Sequence, residues 1–129
     1  MNIVWLVLKF VLALFLIYAG VQHFVNPDFF MKVIPPFLLS IGLPIVYISG
    51  VVEIGIGLMM LIRKYEVVGT TAFFLLMLLF LPLHIWDVFA ESPFTGSKNA
   101  ALIRLAIQVI LIGVLWKMKV SLAAKSSSV

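Results

Sequence analysis

A small set of polar side chains interrupts long apolar runs, and several have the spacing of neighbours on a helix. His84 and Asp87 are three residues apart and Arg104 and Gln108 are four apart, so each pair shares one helix face. Imidazole, carboxylate and guanidinium groups can exchange protons, pair with one another or bind a polar ligand. The candidate ligand-binding or polar-network residues are Gln22, His23, Glu53, His84, Asp87, Arg104 and Gln108. No catalytic role can be assigned among them.

The surrounding sequence is too apolar for a soluble protein of this size. Hydrophobic residues make up 64% of the 129 residues and charged residues 11%, against about 45–50% and about 25% in soluble domains. A small soluble domain could not cover this much apolar area. The composition therefore excludes a soluble enzyme, a disordered chain and a nucleic-acid-binding domain, and it indicates an integral membrane protein. The absence of cysteine excludes disulfides, thiolate catalysis and iron–sulfur ligation.

Four apolar segments are long enough to cross a bilayer as helices, since a span needs about 20 residues. We predict an all-α fold, a single-domain four-helix transmembrane bundle with helices at about 3–25, 43–62, 67–89 and 100–118. Residues 27–37 are rich in Phe and Pro and are predicted to form an interfacial or re-entrant segment between the first two helices. The small, polar tail at 121–129 is predicted to be disordered.

The predicted helices concentrate their polar groups in one half of the bundle. With a rise of about 1.5 Å per residue, Glu53 lies near the membrane midplane, and Arg104 lies about one turn inside one face. An ionisable side chain in lipid costs about 2.5–3.5 kcal/mol, so it should face the bundle interior and find a partner. We expect Glu53 and Arg104 to belong to one network, directly or through Gln108 or water. Glu53 would then be a structural counter-ion, and the alternative is a protonatable or ligand-binding carboxyl group.

The same residues predict a cavity. Gly50 and Gly57 lie on the stripe of Glu53 and would let a neighbouring helix or a ligand approach closely. The expected roof consists of Phe24, Phe29, Phe30, Ile34 and Phe37. The expected boundary consists of Gln22, His23, Glu53, His84, Arg104 and Gln108. A metal bound by Asp87 with Glu53 and the two histidines, or a haem between the histidines, is chemically sensible, but we expect neither.

The distribution of basic residues predicts the orientation. With four spans, both termini and the second loop share one side of the membrane. That side holds Arg63, Lys64, Lys117, Lys119 and Lys125, and the other holds Lys32 and Lys98 with Arg104 slightly inside. Because loops rich in Lys and Arg stay in the cytoplasm, we expect the N- and C-termini of this multi-pass protein on the cytoplasmic side of the inner (plasma) membrane.

Four segments, in order along the chain, resemble signatures of the DoxX family. They are residues 20–30 (GVQHFVNPDFF) followed by Ile34-Pro35-Pro36, residues 49–58 (SGVVEIGIGL), the proline segment of the third span, and residues 104–108 (RLAIQ). The resemblance covers about residues 14–116. One position departs from the pattern, because this chain has Pro82-Leu83-His84 where many relatives have Pro-x-Asn.

The resemblance implies a small four-helix membrane protein of bacteria or archaea. The family takes its name from a membrane subunit linked to quinone-dependent sulphur oxidation, and other members are associated with redox or oxidative-stress partners. It therefore implies a redox-associated subunit that binds a quinone-like or other amphiphilic molecule and has a redox partner protein. The lipid bilayer and further copies of the chain are the other expected partners. The alternative is a non-enzymatic carrier of lipid or small molecules, or a membrane scaffold for a partner protein. Without a complete catalytic set, the chain is not expected to be an enzyme on its own.

Overall fold

The chain forms a bundle of helices. The computed structural model describes residues 3–91, 93 and 96–127, and no strand occurs in this part of the chain. The α-helices are α1 (Ile3–Val25), α2 (Pro27–Met31), α3 (Gly42–Leu61), α4 (Glu66–Phe89) and α5 (Lys98–Ser127), with short 3-10 helices at Pro36–Ile41 and Arg63–Tyr65. Four of the helices are long and apolar enough to cross a membrane. The predicted all-α four-helix bundle is confirmed.

The long helices direct most of their apolar side chains outward. Only 17 to 22% of the residues in each spanning window are buried inside the protein, and large side chains such as Leu79 and Ile110 are exposed. Lipid tails are as apolar as these side chains, so the bilayer accommodates them where water would not. The chain is therefore a membrane protein.

Helices α1 and α3 approach each other along a line of small residues. A Cβ atom added at Gly50 would lie 2.9 Å from the Gly20 carbonyl oxygen, and one added at Gly57 would lie 2.9 Å from the Ala13 carbonyl oxygen. The two contacts are seven residues apart on both helices, which is about two helical turns. The expected close approach of a neighbouring helix at Gly50 and Gly57 is confirmed, and it positions His23 of α1 against Glu53 of α3.

The segment between α1 and α3 caps one end of the bundle. Pro27 occupies the first turn of α2, where its missing amide hydrogen and fixed φ are suited to a helix start. The Met31 side chain packs against Gly42 at the start of α3, because a Cβ atom added at Gly42 would lie 2.7 Å from Met31 Cε. We call this end, formed by residues 23–46, 83–91 and 98–104, the cavity end. The opposite end, formed by residues 3–9, 61–66 and 118–127, is the termini end.

Helix α5 continues well beyond the predicted span. We expected a helix at about 100–118 and a disordered tail at 121–129, but α5 extends to Ser127. Leu122 is 1% exposed and joins the core formed with Leu115 and Met118. The prediction of disorder is wrong for 121–127, because this three- and four-residue spacing prolongs the apolar face of the helix despite the small and polar residues around it. Residues 128 and 129 lie outside the described residues.

Candidate ligand-binding cavity

A cavity of about 180 Å³ lies among α1, α3, α4 and α5 at the cavity end. Its polar lining consists of His23, Ser49, Glu53, His84 and Arg104, and its apolar lining of Phe30, Val33, Ile34, Ile45, Val46, Phe80 and Leu83. An engineered apolar cavity of about 150 Å³ binds benzene. This cavity is therefore large enough for one six-membered ring or a few water molecules.

The seven predicted site residues divide into those that line the cavity and those that do not. His23, Glu53, His84 and Arg104 line it, and Asp87 lies just outside as the partner of Arg104. The two glutamines do not line it. Gln108 donates from Nε2 to the Met77 carbonyl oxygen over 2.9 Å, while Gln22 is only half-buried. The expected boundary is thus correct for four of its six residues.

The roof was also predicted in part. Phe30 and Ile34 line the cavity, and the Phe30 ring stacks on the His23 imidazole at 3.8 Å between centroids and 17° between planes. Phe24 stacks on Tyr47 instead, and Phe37 is 76% exposed. Phe29, which is also exposed, meets the edge of Phe30. Which of these side chains reaches the cavity depends on the turns of the capping segment. The linear sequence does not specify those turns.

His23 and Glu53 form the deeper polar pair. The His23 Nδ1 atom lies 3.1 Å from Glu53 Oε2 and 2.7 Å from the Ala19 carbonyl oxygen. A carbonyl oxygen only accepts, so Nδ1 carries a hydrogen and donates it to Ala19. Glu53 Oε2 is beside the ring nitrogen at ion-pair distance, yet it accepts no hydrogen bond. The histidine is therefore held in one tautomer, with Nε2 available as an acceptor when the ring is neutral.

Two buried atoms at the cavity lack a hydrogen-bond partner. Within the described residues, three buried side-chain atoms are in this state, and two of them, Glu53 Oε2 and His84 Nδ1, belong to residues that line the cavity. A buried unsatisfied polar group costs about 1–3 kcal/mol. Buried polar groups in proteins normally have a protein or water partner. Each of these two atoms can therefore form a further hydrogen bond, either to water or to a polar ligand.

Arg104 and Glu53 do not form the direct pair that was one form of the expected network. The Arg104 guanidinium donates to Asp87 Oδ2 over 2.8 Å, and the side chains of the pair are 25% and 8% exposed. Glu53 instead lies against His23. The physical reason is direction rather than depth, since the Arg104 side chain reaches Asp87 of α4 whereas the Glu53 side chain faces His23 of α1. Both Arg104 and Glu53 nevertheless line the same cavity.

The site does not suit the larger or charged cofactors considered from the sequence. Among the described residues, no group of three or more His, Asp or Glu side chains is arranged to hold a metal ion. A porphyrin consists of four fused pyrrole units and is several times larger than the single ring that a cavity of about 180 Å³ accepts. His23 and His84 therefore do not fit a haem between them.

Two polar features of the structure are not among the site residues predicted from the sequence. Ser49 lines the cavity, and its position four residues before Glu53 on α3 would have placed it on the same face. At the termini end, Lys9 Nζ lies 2.7 Å from Glu66 Oε2, with side chains 5% and 12% exposed. The sequence contains a signal for this pair, because Lys9 lies inside an apolar run and a charge in such a run requires a partner. Glu66 at the start of α4 is that partner.

Fold and site together define a four-helix integral membrane protein with a largely apolar cavity near one end that has a few polar side chains in its lining. The chain belongs to the family described as Domain of unknown function (DUF8561), whose model matches residues 12–120. No curated protein and no solved structure matches the sequence.

Proposed function

We propose that this chain is a DoxX-like, redox-associated membrane subunit whose cavity binds the head ring of a quinone or a similar amphiphile. The observation that supports this most directly is that two buried atoms, Glu53 Oε2 and His84 Nδ1, have no hydrogen bond beside a largely apolar cavity. Ligand sites are typically apolar with a few convergent polar groups. A ring with polar substituents matches that combination better than a simple hydrocarbon does.

The size of the cavity limits what can enter. Drug-sized ligands occupy pockets of about 300–1,000 Å³, whereas this cavity measures about 180 Å³. A single substituted ring fits, and an isoprenoid or acyl tail would extend from the cavity into the bilayer. Lipid-soluble quinones have this division into a compact ring and a long tail.

The lining supplies donors and an aromatic wall for such a ring. Quinone carbonyl oxygens accept hydrogen bonds, and Arg104 is a permanent donor. His84 and a protonated Glu53 can also donate, while Phe30 and Phe80 of the lining offer ring faces for stacking.

A bound quinone would supply two-electron chemistry coupled to two protons. His23, Glu53 and His84 can hold protons beside it, because imidazole and carboxyl groups both titrate. Electrons would come from a redox partner protein, so we propose that the chain acts as a subunit rather than as an enzyme on its own. The polar residues of the DoxX-like motifs support this, since His23, Glu53 and Arg104 line the cavity.

The competing proposal is a non-enzymatic lipid or small-molecule carrier, or a scaffold. It is supported by the broad apolar faces, since at most 22% of any spanning window is buried within the chain. Such faces could contact further copies of the chain or a partner in the membrane. The two proposals differ in the ligand, a redox-active ring in the first and a phospholipid or no ligand in the second.

A cavity-filling variant tests the proposal. Ser49→Leu adds volume at the cavity wall, while Ser40→Leu adds the same volume at an exposed position outside it. Short-chain quinone would be titrated into the detergent-solubilised protein and followed by tryptophan fluorescence, and organic extracts of the purified protein would be analysed for isoprenoid quinone by mass spectrometry. We expect Ser49→Leu to weaken quinone binding at least about tenfold, the equivalent of about 1.4 kcal/mol, and Ser40→Leu to leave it unchanged.

The opposite outcomes are equally informative. If both variants bind quinone like the parent chain, the cavity is not the quinone site. If extracts contain phospholipid but no quinone and short-chain quinone does not bind, the carrier proposal replaces the redox one.

A further inference from the structure

A second pocket at the termini end has a different chemistry from the cavity. It measures about 240 Å³ and is lined by Lys9, Arg63, Glu66 and Lys125 together with the apolar side chains Leu6, Phe10 and Leu61. Its charged residues come from α1, from the turn between α3 and α4, from the start of α4 and from the end of α5. Residues far apart in sequence thus converge on one site.

Basic side chains outnumber carboxylates in the lining of this pocket. The lining has three basic side chains and one carboxylate, which is a formal charge of +2 for the lining residues. The carboxylate of Glu66 already accepts from Lys9 over 2.7 Å. The Lys9 ammonium also lies 4.9 Å from the centroid of the Phe10 ring, a distance at which a cation–π attraction operates. The buried pair is therefore fixed in place, and both of its residues belong to the pocket lining.

The apolar part of the lining indicates the kind of anion. Leu6 and Phe10 belong to the lipid-facing side of α1 and are themselves exposed. An inorganic anion would gain nothing from them, whereas a phospholipid would place its acyl chains on such a surface and its phosphate beside the cations. Basic pockets at the ends of transmembrane helices are known to bind anionic lipid headgroups.

We propose that the termini end binds the phosphate headgroup of an anionic phospholipid between α1, the Arg63–Tyr65 turn and the end of α5. Arg63 is the principal headgroup ligand in this site, because its planar guanidinium matches two phosphate oxygens at once. Lys125 adds a second positive charge. The site is independent of the cavity, which lies at the opposite end of the bundle.

The neighbouring residue Lys64 provides a matched control. It lies in the same turn as Arg63 and is also exposed, but it does not line the pocket, and its ammonium lies 5.4 Å from the centroid of the Tyr65 ring. Arg63→Gln and Lys64→Gln remove the same charge from adjacent positions. A general surface-charge effect would make the two variants equal, whereas a defined site would not.

The experiment uses the full chain, delipidated in detergent, with phosphatidylglycerol, phosphatidylcholine or inorganic phosphate added. Bound molecules would be counted by native mass spectrometry, and size-exclusion profiles would verify that each variant is folded. We expect one phosphatidylglycerol to be retained in preference to phosphatidylcholine. Arg63→Gln and Lys125→Gln should each weaken its retention about fivefold, the effect of one basic residue at a membrane surface. Lys64→Gln should change it less than twofold.

Other results would overturn the proposal. Equal losses in Arg63→Gln and Lys64→Gln, or no preference for phosphatidylglycerol, would show that no defined headgroup site exists. Displacement of the lipid by inorganic phosphate, with phosphate itself retained in the parent chain and lost in Arg63→Gln, would show that free phosphate rather than a lipid is the ligand.

Discussion

Arg104 and Asp87 connect two compartments of the cavity end. The Arg104 guanidinium lines the cavity, and it donates over 2.8 Å to Asp87 Oδ2. Asp87 in turn lines an outer groove of about 500 Å³ that also contains Lys32 and Glu91. Val33 and Ile34 line both spaces, so the cavity and the groove are neighbours. The ion pair joins a residue of the cavity lining to a residue of the groove lining.

The partner of Arg104 can be tested by double-mutant cycles. We expect Asp87→Asn to lower the free energy of unfolding by about 1–3 kcal/mol, a value between those of surface and buried pairs. Unfolding in mixed detergent and dodecyl sulfate would measure it. The cycle of Asp87→Asn with Arg104→Gln should give a coupling of at least about 1 kcal/mol, and the cycle of Glu53→Gln with Arg104→Gln should give a smaller one. A larger coupling between Arg104 and Glu53 would contradict the observed pairing.

The distinction between depth and direction explains what the sequence could predict. Apolar length fixed the four spans, and the rise of a helix placed His23, Glu53, His84 and Arg104 within the same half of the bundle, where they do line one cavity. Depth along a helix does not determine which neighbour a side chain faces. For this reason the sequence could not show that the direct partner of Arg104 is Asp87 rather than Glu53.

Helix ends and the capping segment were harder to predict. The extension of α5 to Ser127 depends on the burial of Leu122, and that burial requires the packed bundle. The orientation of Phe37 away from the cavity depends on the turn before it, because a small change of backbone angle redirects a large side chain. Long apolar runs are therefore predictable from the sequence alone, while details that depend on tertiary packing are not.

The close contact of α1 and α3 predicts opposite effects for two glycines of one helix. A Cβ atom at Gly50 would lie 2.8 Å from His23 Cβ and 2.9 Å from a backbone oxygen, whereas nothing lies within 4 Å of a Cβ atom at Gly55. Gly50→Ala should therefore lower the free energy of unfolding by about 1–3 kcal/mol through overpacking. Gly55→Ala should be neutral or stabilise by up to about 1 kcal/mol, because alanine favours the helix. Equal effects at the two positions would mean that the helices are not in close contact at Gly50.

The buried pair at the termini end should behave as a unit. Removing one partner leaves a buried charge without compensation, so Lys9→Met and Glu66→Gln should each cost about 3–5 kcal/mol. The double variant should cost clearly less than the sum of the two single variants.

Stability would be measured by detergent unfolding at low and high salt. Salt should have little effect on the pair, because the side chains are only 5% and 12% exposed. Lys64→Met is an exposed control in the short helix just before Glu66, and it should change stability by less than about 0.5 kcal/mol. Additive losses would show that Lys9 and Glu66 do not interact.

Adjacent threonines in α4 offer another matched comparison. Thr70 is fully buried and its Oγ1 has no hydrogen-bond partner, whereas Thr71 Oγ1 donates to the Val67 carbonyl oxygen over 2.8 Å. Replacing the unsatisfied hydroxyl with a methyl group should stabilise the protein, so Thr70→Val should raise the free energy of unfolding by about 1 kcal/mol. Thr71→Val loses a bond together with the group that made it and should change stability by less than about 0.5 kcal/mol. A destabilised Thr70→Val variant would indicate that the hydroxyl has a partner, such as a bound water.

The last prediction concerns orientation in the membrane. Lys9 of α1, Glu66 of α4 and Lys125 of α5 line one pocket, so the N-terminal half of α1, the second loop and the end of α5 lie at the same end of the bundle. That half of the bundle holds Arg63, Lys64, Lys117, Lys119 and Lys125 besides Lys9, against Lys32, Lys98 and Arg104 in the other half, and the excess of basic residues favours the cytoplasm. Green fluorescent protein fused after Lys64 or at the C-terminus should therefore fluoresce in bacterial cells, and a fusion at Gly96 should not. Alkaline phosphatase, which is active only outside the cytoplasm, should give the reverse pattern at all three positions. Fluorescence at Gly96 alone would establish the inverted orientation, and fluorescence at all three positions would contradict the four-span topology itself.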